Sequence, residues 1–406
     1  MTSLPLHKKT LSAAPIQAET PVIQLVSHLL LKAQQHRASD LHLEPLAHTV
    51  RVRCRIDGVL QEMQHLPKKL QDPIVSRLKI MSTSMNIAEK RLPQEGRFQF
   101  QYGTRPFDIR ISTIPTIYGE SVVLRFLDRS SVMLGLAELG LETEDQLLLK
   151  NLITQPHGLM LVTGPTGSGK TTTLYACLQE LNHPDCKMIT IEDPIEYQLP
   201  GVNQVQVQKE IGRTFPAVLR AMLRQSTNKM MVGEIRDLET AQIAMNASLT
   251  GHLILSTLHT NDAPSAIARL EDIGIPLFLI ASGLHAIIAQ RLVRRLCAHC
   301  KIPTTFTAYE KKIWGLEEKS FSSDSPMKAS GCPQCDGKGF QGRFGIFEIL
   351  IVNEALRHEI QRKKSTAHLR EQARKHGMKT LREDGLNKVL LGLTTLEEVA
   401  TKIQTF

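Results

Sequence analysis

The feature that most constrains this chain is a complete phosphate-loop motif, GPTGSGKT at residues 164–171, which follows the pattern G-x-x-x-x-G-K-[ST]. Its glycines allow consecutive backbone N–H groups to turn inward around an anion, which Cβ atoms would obstruct. Lys170 can reach the β- and γ-phosphates of a nucleoside triphosphate, and the Thr171 hydroxyl can ligate Mg²⁺. The motif therefore predicts a site for ATP or GTP.

The segments beside the loop fit this prediction. An apolar stretch at 158–163 predicts a buried strand, and residues 172–181 predict a helix, so the phosphates would lie at a helix N-terminus. The predicted nucleotide-binding residues are Gly164, Pro165, Thr166, Gly167, Ser168, Gly169, Lys170, Thr171 and Thr172.

Further apolar strands alternate with helical stretches, as in a parallel sheet covered by helices on both faces. One of them, 230–233, is followed directly by Glu234. A phosphate loop needs an acid at a neighbouring strand end to hold Mg²⁺. Gly233 stands where an Asp often precedes the Glu, so we expect Glu234, with Thr171, to hold the metal.

A second acidic segment, EDPIE at 192–196, follows a predicted strand at 188–192. We expect Glu196 to orient or deprotonate the attacking water, because Glu234 is then committed to the metal. Glu192 and Asp193 are alternatives for the same role.

A fourth predicted strand, 252–256, is followed by His259 in a polar segment. Sheets of this type bind ligands outside the carboxyl ends of their strands, so His259 is predicted to contact the γ-phosphate. The alternative is a histidine that bonds a loop carbonyl.

Size and composition limit the class of protein. A chain of 406 residues predicts two or three domains, and a net charge of +9 is compatible with nucleic acid, an anionic membrane surface or acidic partners. Aromatic residues, at 4%, are too few for platforms that stack single-stranded nucleic acid. No signal peptide or membrane-spanning segment is recognisable, and seven cysteines indicate a reducing cytosol rather than a disulfide framework.

Four of those cysteines form two C-x-x-C pairs. Each pair places two sulfurs on one tight turn, and two pairs complete a tetrahedral zinc site. The long separation between the pairs predicts a small helical insertion. A redox pair or four unliganded thiols are the alternatives, and His299 is a rival ligand. The predicted zinc ligands are Cys297, Cys300, Cys332 and Cys335.

These motifs, in this order, resemble the secretion ATPases of type II secretion systems and type IV pilus assembly over about residues 21–406. The resemblance is carried by the phosphate loop, the EDPIE segment, the second cysteine pair and four further segments. Those segments are ASDLHLEP at 38–45, VRCRIDG at 52–58, VGEIRDLET at 232–240 and STLHTN at 256–261.

The resemblance implies an α/β fold: a RecA-like phosphate-loop ATPase core, an N-terminal PAS-like α+β domain, and a C-terminal zinc-binding subdomain with helices. The predicted segments are a tail at 1–20, the PAS-like domain at 21–128, a linker at 129–136, the ATPase core at 137–296, the zinc subdomain at 297–347 and a helical region at 348–406.

The resemblance also implies a cytoplasmic homohexamer whose domains rotate as ATP is hydrolysed. It would act, at the inner membrane, on a platform protein that assembles pilin-like subunits, and its cofactors would be ATP, Mg²⁺ and Zn²⁺. Two arginines of the family's active site correspond to Arg110 and Arg125, which would stabilise the transferring phosphate when the N-terminal domain closes. Arg220 and Arg224, four positions apart, are secondary candidates expected on one helix face.

Two departures from the family are apparent. Many relatives carry an additional N-terminal docking domain, where this sequence has only a short tail, and QSTNK at 225–229 replaces a usual acidic, proline-containing stretch. The competing hypotheses are a nucleic-acid motor, for which Arg291, Arg294 and Arg295 form the densest basic cluster, and a nucleotide-binding scaffold. Nucleic acid is not expected as a partner, and Lys170, Glu234 and Glu196 argue against a scaffold.

Overall fold

The structure is a computed structural model of the full chain, and it describes residues 22–82, 84–102, 105–127, 134–316 and 326–403. The predicted tail at 1–20 and most of the predicted linker lie outside these residues. The chain divides into two compact units, Met1–Ser131 and Val132–Phe406, and each is described by itself.

The N-terminal unit is a six-stranded antiparallel sheet with two helices. The strand order is β3-β2-β1-β6-β5-β4. Its elements are α1 Val22–Gln35, β1 Asp40–Pro45, β2 Thr49–Ile56, β3 Val59–Pro67, α2 Gln71–Met81, β4 Gln94–Tyr102, β5 Arg105–Thr116 and β6 Gly119–Leu127.

Alternation of apolar and charged residues gives this sheet two different faces. In β2 every second residue is buried, from Val50 to Ile56, while the arginines between them are partly exposed. The buried face packs with Leu29 of α1 and Leu78 of α2 in one hydrophobic core. The helices therefore cover one side of the sheet, and the charged side chains lie on the other.

A row of charged residues crosses five strands of that second face. Asp40 on β1 lies opposite Arg55 on one side and Arg125 on the other, Arg125 lies opposite Arg110, and Arg110 lies opposite Arg97. Residues in register on neighbouring strands share a face. The row therefore contains four arginines and one aspartate, and Arg55 and Arg125 flank the aspartate.

The second unit contains a seven-stranded sheet in the order β15-β12-β7-β11-β10-β8-β9. All neighbours are parallel except the edge strand β15, which is antiparallel to β12. The strands are β7 Gly158–Thr163, β8 Met188–Glu192, β9 Asn203–Gln206, β10 Lys229–Val232, β11 Leu253–Leu258, β12 Leu284–Leu296 and β15 Phe340–Ile351, and a small separate sheet pairs β13 Ile302–Pro303 with β14 Met327–Lys328.

Helices cover both faces of this sheet, which confirms the predicted α/β class. In β7, Leu159 and Leu161 belong to one hydrophobic core, and Met160 and Val162 belong to the other. The helices are α3 Thr143–Thr154, α4 Lys170–Glu180, α5 Phe215–Met222, α6 Leu238–Leu249, α7 Ala263–Ile273, α8 Leu277–Gly283, α9 Ala308–Trp314, α10 Glu354–Gln361, α11 Thr366–Lys375, α12 Leu381–Leu390 and α13 Leu396–Lys402.

Three details differ from the sequence expectations. The boundary predicted between 347 and 348 falls inside β15, because this strand pairs with β12 along most of its length and belongs to the main sheet. The region predicted to be helical from 348 therefore begins with strand residues. In addition, α5 ends at Met222, so Arg224 lies beyond the helix and does not share a helical face with Arg220.

Candidate nucleotide-binding site and cysteine cluster

The phosphate loop connects the buried strand β7 to α4, as its sequence predicted. Every residue of β7 is buried. Gly167 and Gly169 have φ angles of 78° and 88°, a left-handed backbone conformation that residues with a Cβ rarely adopt. Helix α4 begins at Lys170, so its free N–H groups point toward the loop. This geometry can hold a phosphate group.

Lys170 lies folded over the loop and is only 9% exposed. Its Nζ donates hydrogen bonds to the carbonyl oxygens of Gly164 at 2.8 Å and Pro165 at 3.0 Å. Burial lowers the pKa of Lys170 to about 8, an effect that the nearby Glu234 carboxylate partly offsets. The lysine is therefore a partly desolvated cation beside the predicted phosphate position.

Glu234 follows β10 and is 14% exposed at its side chain. Its two oxygens have different neighbours: Arg236 Nη2 at 2.6 Å from Oε1, and His259 Nε2 at 3.6 Å from Oε2. Burial, and then Lys170, lower the pKa of His259, so the imidazole is neutral at pH 7. The structure thus brings together Lys170, Glu234 and His259, which the sequence placed on three different strand ends.

The other acidic segment is anchored to α4 by Tyr175. The buried Tyr175 hydroxyl donates to Glu192, and the backbone N–H of Glu196 donates to the same hydroxyl. The remaining oxygen of Glu192 accepts bonds from Thr190 at 2.6 Å and Gln204 at 3.1 Å. Both carboxylate oxygens of Glu192 are therefore occupied by hydrogen bonds within the protein. This favours Glu196 over Glu192 as the residue that contacts water.

The loop that carries His259 is held by strand β7 and helix α11. Thr163, the last residue of β7, is 2.7 Å from the Thr260 hydroxyl and accepts the Thr260 N–H at 2.9 Å. Further along, Arg370 of α11 forms an ion pair at 2.6 Å with Asp262. These contacts fix the loop relative to the phosphate loop, because Thr163 immediately precedes Gly164.

The four predicted zinc ligands meet in one cluster, with all four sulfurs within 4.8 Å of one another. Cys297 and Cys332 lie 3.8 Å apart, and Cys335 lies 3.7 Å from both Cys300 and Cys332. A tetrahedral zinc with sulfur ligands at about 2.3 Å requires sulfur–sulfur distances of about 3.8 Å. The donor set and spacing therefore fit a tetrahedral ion, and helix α9 lies in the insertion between the pairs, as predicted.

The cysteine cluster has further features of a metal knuckle. The backbone N–H groups of Gly331 and Gly339 donate to Cys300 at 3.3 Å and Cys335 at 3.1 Å, respectively. Such bonds stabilise thiolates, which are the form that binds metal. His299, the rival ligand, is exposed and is not part of the group of four sulfurs.

The two predicted active-site arginines lie in the N-terminal unit. Arg125 is 58% exposed at its side chain, and its Nε donates to the buried Asp40 carboxylate at 2.9 Å. Arg110 is the register partner of Arg125 on β5. The basic cluster considered for nucleic acid is different: Arg291 is buried, and Arg294 forms an ion pair with Glu398.

Sequence reasoning missed three residues of this region. Arg236, beside Glu234, is visible in the sequence as part of the GEIRD segment. Gln290 and Arg291 contact the phosphate loop from β12, more than a hundred positions later in the chain, and no local pattern marks them. A role for these two side chains becomes visible only when β12 is placed next to β7.

Comparison with known proteins decides the family. The sequence profile of the family described as "Type II/IV secretion system protein" matches residues 16–401. This chain belongs to that family.

Individual relatives agree with the assignment. The chain is 48% identical to the type II secretion system protein HxcR of Pseudomonas aeruginosa over 94% of its own length and 77% of that protein. It is 45% identical to the type IV pilus assembly ATPase PilB of Thermus thermophilus. That match covers 96% of this chain and 44% of the longer PilB protein. The crystal structure of the pilus retraction motor PilT with bound ADP superposes with a TM-score of 0.61 at 26% identity, covering 93% of this chain and 96% of PilT.

This chain is an ATPase with a RecA-like core, as the resemblance implied, and its reaction involves a nucleotide and Mg²⁺. Within the described residues, no helix combines the length and the apolar character needed to cross a bilayer.

Proposed function

We propose that this chain hydrolyses ATP to power protein export by a type II secretion system or assembly of a type IV pilus or pseudopilus. The observation that carries the proposal is the grouping of Lys170, Glu234 and His259 around a complete phosphate loop. Relatives named for type II secretion and for pilus assembly match nearly the whole chain.

In this proposal the phosphate loop from Gly164 to Thr172 binds the triphosphate, with Lys170 against the β- and γ-phosphates. Thr171 and Glu234 hold Mg²⁺, which neutralises charge on the phosphate oxygens when bound. Glu196 orients or deprotonates the attacking water, and neutral His259 contacts the γ-phosphate as a hydrogen-bond partner.

Arg110 and Arg125 complete the site in the assembled particle. A guanidinium stabilises the negative charge that spreads over the equatorial oxygens as the phosphoryl group transfers. The observation in support is that Arg125 is both exposed and fixed in orientation by Asp40. We further propose a cytoplasmic homohexamer that works at the inner membrane on a platform protein of the secretion or pilus machine.

The four cysteines are proposed to bind one structural Zn²⁺. The sulfur–sulfur distances and the N–H···S bonds support this assignment. With four sulfur ligands the ion has no open position for catalysis, so its role is to hold the segment between β12 and β15.

The competing hypothesis of a nucleic-acid motor loses its main support. Its basic cluster consists of one buried arginine, one ion-paired arginine, and Arg295, whose guanidinium stacks over the Phe344 ring. A surface that binds a phosphate backbone needs several accessible cations, and of these three arginines only Arg295 is exposed.

The test is ATP hydrolysis by the purified chain with and without DNA, RNA and the cytoplasmic domain of a platform protein encoded beside it. We expect hydrolysis that nucleic acid leaves unchanged and that the platform domain accelerates. Stimulation by nucleic acid alone would support the competing hypothesis instead.

A further inference from the structure

Gln290 is a buried polar side chain that the proposed reaction does not use. It lies on β12, next to the end of β7, and is only 2% exposed. Its Oε1 accepts a hydrogen bond from the Thr173 hydroxyl at 2.7 Å, and Thr173 is itself fully buried in the first turn of α4. Burial of an amide has a free-energy cost unless its hydrogen bonds are made, so this contact is a strong local constraint.

The same residue packs against both ends of the phosphate loop. A Cβ added to Gly164 would lie 2.6 Å from the Gln290 carbonyl oxygen, and a Cβ added to Gly169 would lie 2.7 Å from Gln290 Nε2. No Cβ fits at such distances from backbone or a packed amide. Gly164 at the start of the loop and Gly169 near its end therefore both pack against Gln290.

The next residue, Arg291, reaches the other loop of the site. It is 8% exposed, and its guanidinium donates to the Gln290 carbonyl at 3.0 Å and to the Asn261 carbonyl at 2.8 Å. Asn261 is two residues beyond His259. Two consecutive residues of one strand thus contact α4, the phosphate loop and the His259 loop.

We propose that Gln290 and Arg291 are positioning residues that set the spacing between the phosphate loop and the His259 loop. Gln290 fixes the first turn of α4, from which Lys170 and Thr171 project, and Arg291 fixes the loop that carries His259. The inference rests on the proposed function of those groups. Neither residue needs to touch the nucleotide to act in this way.

The test is a double-mutant cycle on the Gln290–Thr173 hydrogen bond. Gln290→Leu and Thr173→Val should each lower kcat/KM for ATP about tenfold, the factor that corresponds to one lost buried hydrogen bond. The double variant should lose no more than either single variant, because both changes delete the same bond. Thr173→Ser, which keeps the hydroxyl, is the matched control and should stay within about twofold of wild type.

A second readout does not depend on catalysis. Hydrogen–deuterium exchange at residues 164–175 should be faster in Gln290→Leu than in wild type and unchanged in Thr173→Ser. Arg291→Met should speed exchange at 259–262 and lower kcat more than it raises KM, since it displaces His259 rather than the phosphate loop.

Two results would overturn the inference: additive losses in the double variant, or unfolding midpoints that fall while kcat/KM and loop exchange stay at wild-type values. A wild-type chain without ATPase activity would instead contradict the proposed function. The hydrogen–deuterium exchange rates would still test the positioning role.

Discussion

The Nε atom of Arg125 lies 2.9 Å from Oδ1 of Asp40, a carboxylate that is itself 5% exposed. The other oxygen of Asp40 accepts the Ser39 hydroxyl at 2.8 Å and lies 3.5 Å from Arg55. One side of the Arg125 guanidinium is thus held against the sheet, and the exposed part of the side chain is presented in a single orientation. This is the preorganisation that a residue needs to stabilise a transition state.

Arg110→Ala and Arg125→Ala should therefore lower kcat much more than they raise KM, because their contacts form chiefly in the transition state. Asp40→Ala should reproduce part of the Arg125 effect by releasing the guanidinium. The measurement is steady-state kinetics across protein concentrations that change the oligomeric state. Equal kcat values for wild type and both arginine variants in the assembled particle would reject this role.

Lys170→Ala should abolish hydrolysis and weaken ATP binding, because the loop loses the cation that lies over it. Binding of a fluorescent ATP analogue and phosphate release provide the measurement. Near-normal turnover in this variant would refute the phosphate-loop assignment.

The pKa of Lys170 predicts a pH dependence. Burial lowers this pKa to about 8, so raising the pH through that value removes the charge that attracts the phosphates. KM for ATP should rise about fivefold between pH 8 and pH 9, because the charged fraction falls from about one half to about one tenth. Lys170→Arg is the control: a guanidinium stays charged over this range, so its KM should not follow the same curve.

Glu196→Gln and Glu234→Gln should separate the two acidic roles. We expect Glu196→Gln to bind Mg²⁺–ATP normally and to hydrolyse it slower by orders of magnitude, since it loses the group that positions water. Glu234→Gln should weaken the dependence of ATP binding on Mg²⁺. The measurement is titration of each variant with ATP in the presence and absence of Mg²⁺. Loss of Mg²⁺-dependent binding in Glu196→Gln but not in Glu234→Gln would mean that the two roles are exchanged.

The purified protein should contain about one zinc ion per chain. Cys297→Ser or Cys332→Ser should lose the metal and locally unfold the segment from 297 to 339, because binding energy at such a site is folding energy. ATP binding should persist, since the phosphate loop connects β7 to α4 and the cysteines lie beyond the end of β12. Cys186→Ser is the control, because Cys186 is half-buried outside the cluster. Elemental analysis that finds no metal in protein prepared without chelators would remove the site.

Local patterns were sufficient to select the residues that we propose to carry the chemistry. The GPTGSGKT motif predicted the loop between β7 and α4. Glu234 and His259, which follow neighbouring strands, lie close together because the carboxyl ends of parallel strands share one edge. The cysteine spacing predicted the cluster and the helix in the segment between the two cysteine pairs. In each case the information lies in short sequence motifs.

What the sequence did not predict depends on contacts between distant segments. Gln290 has no motif, and its importance comes from the neighbouring position of β12 and β7. The strand β15 begins with exposed and glycine-containing residues, so its membership of the main sheet follows only from its pairing with β12. Glu192 is an alternative to Glu196 by sequence, and only the structure shows Tyr175 and Gln204 bonded to its oxygens.

The arginine row on the N-terminal sheet has a thermodynamic consequence. Arg125, Arg110 and Arg97 are successive register partners, and like charges opposite each other on neighbouring strands repel. Asp40 at one end of these three arginines, and Asp108 at 3.4 Å from Arg97 at the other, offset part of this repulsion. An anion that binds beside the row adds to that compensation. Anion binding and folding of this unit are therefore linked, and dilute sulfate should raise its unfolding temperature more than chloride does at equal ionic strength.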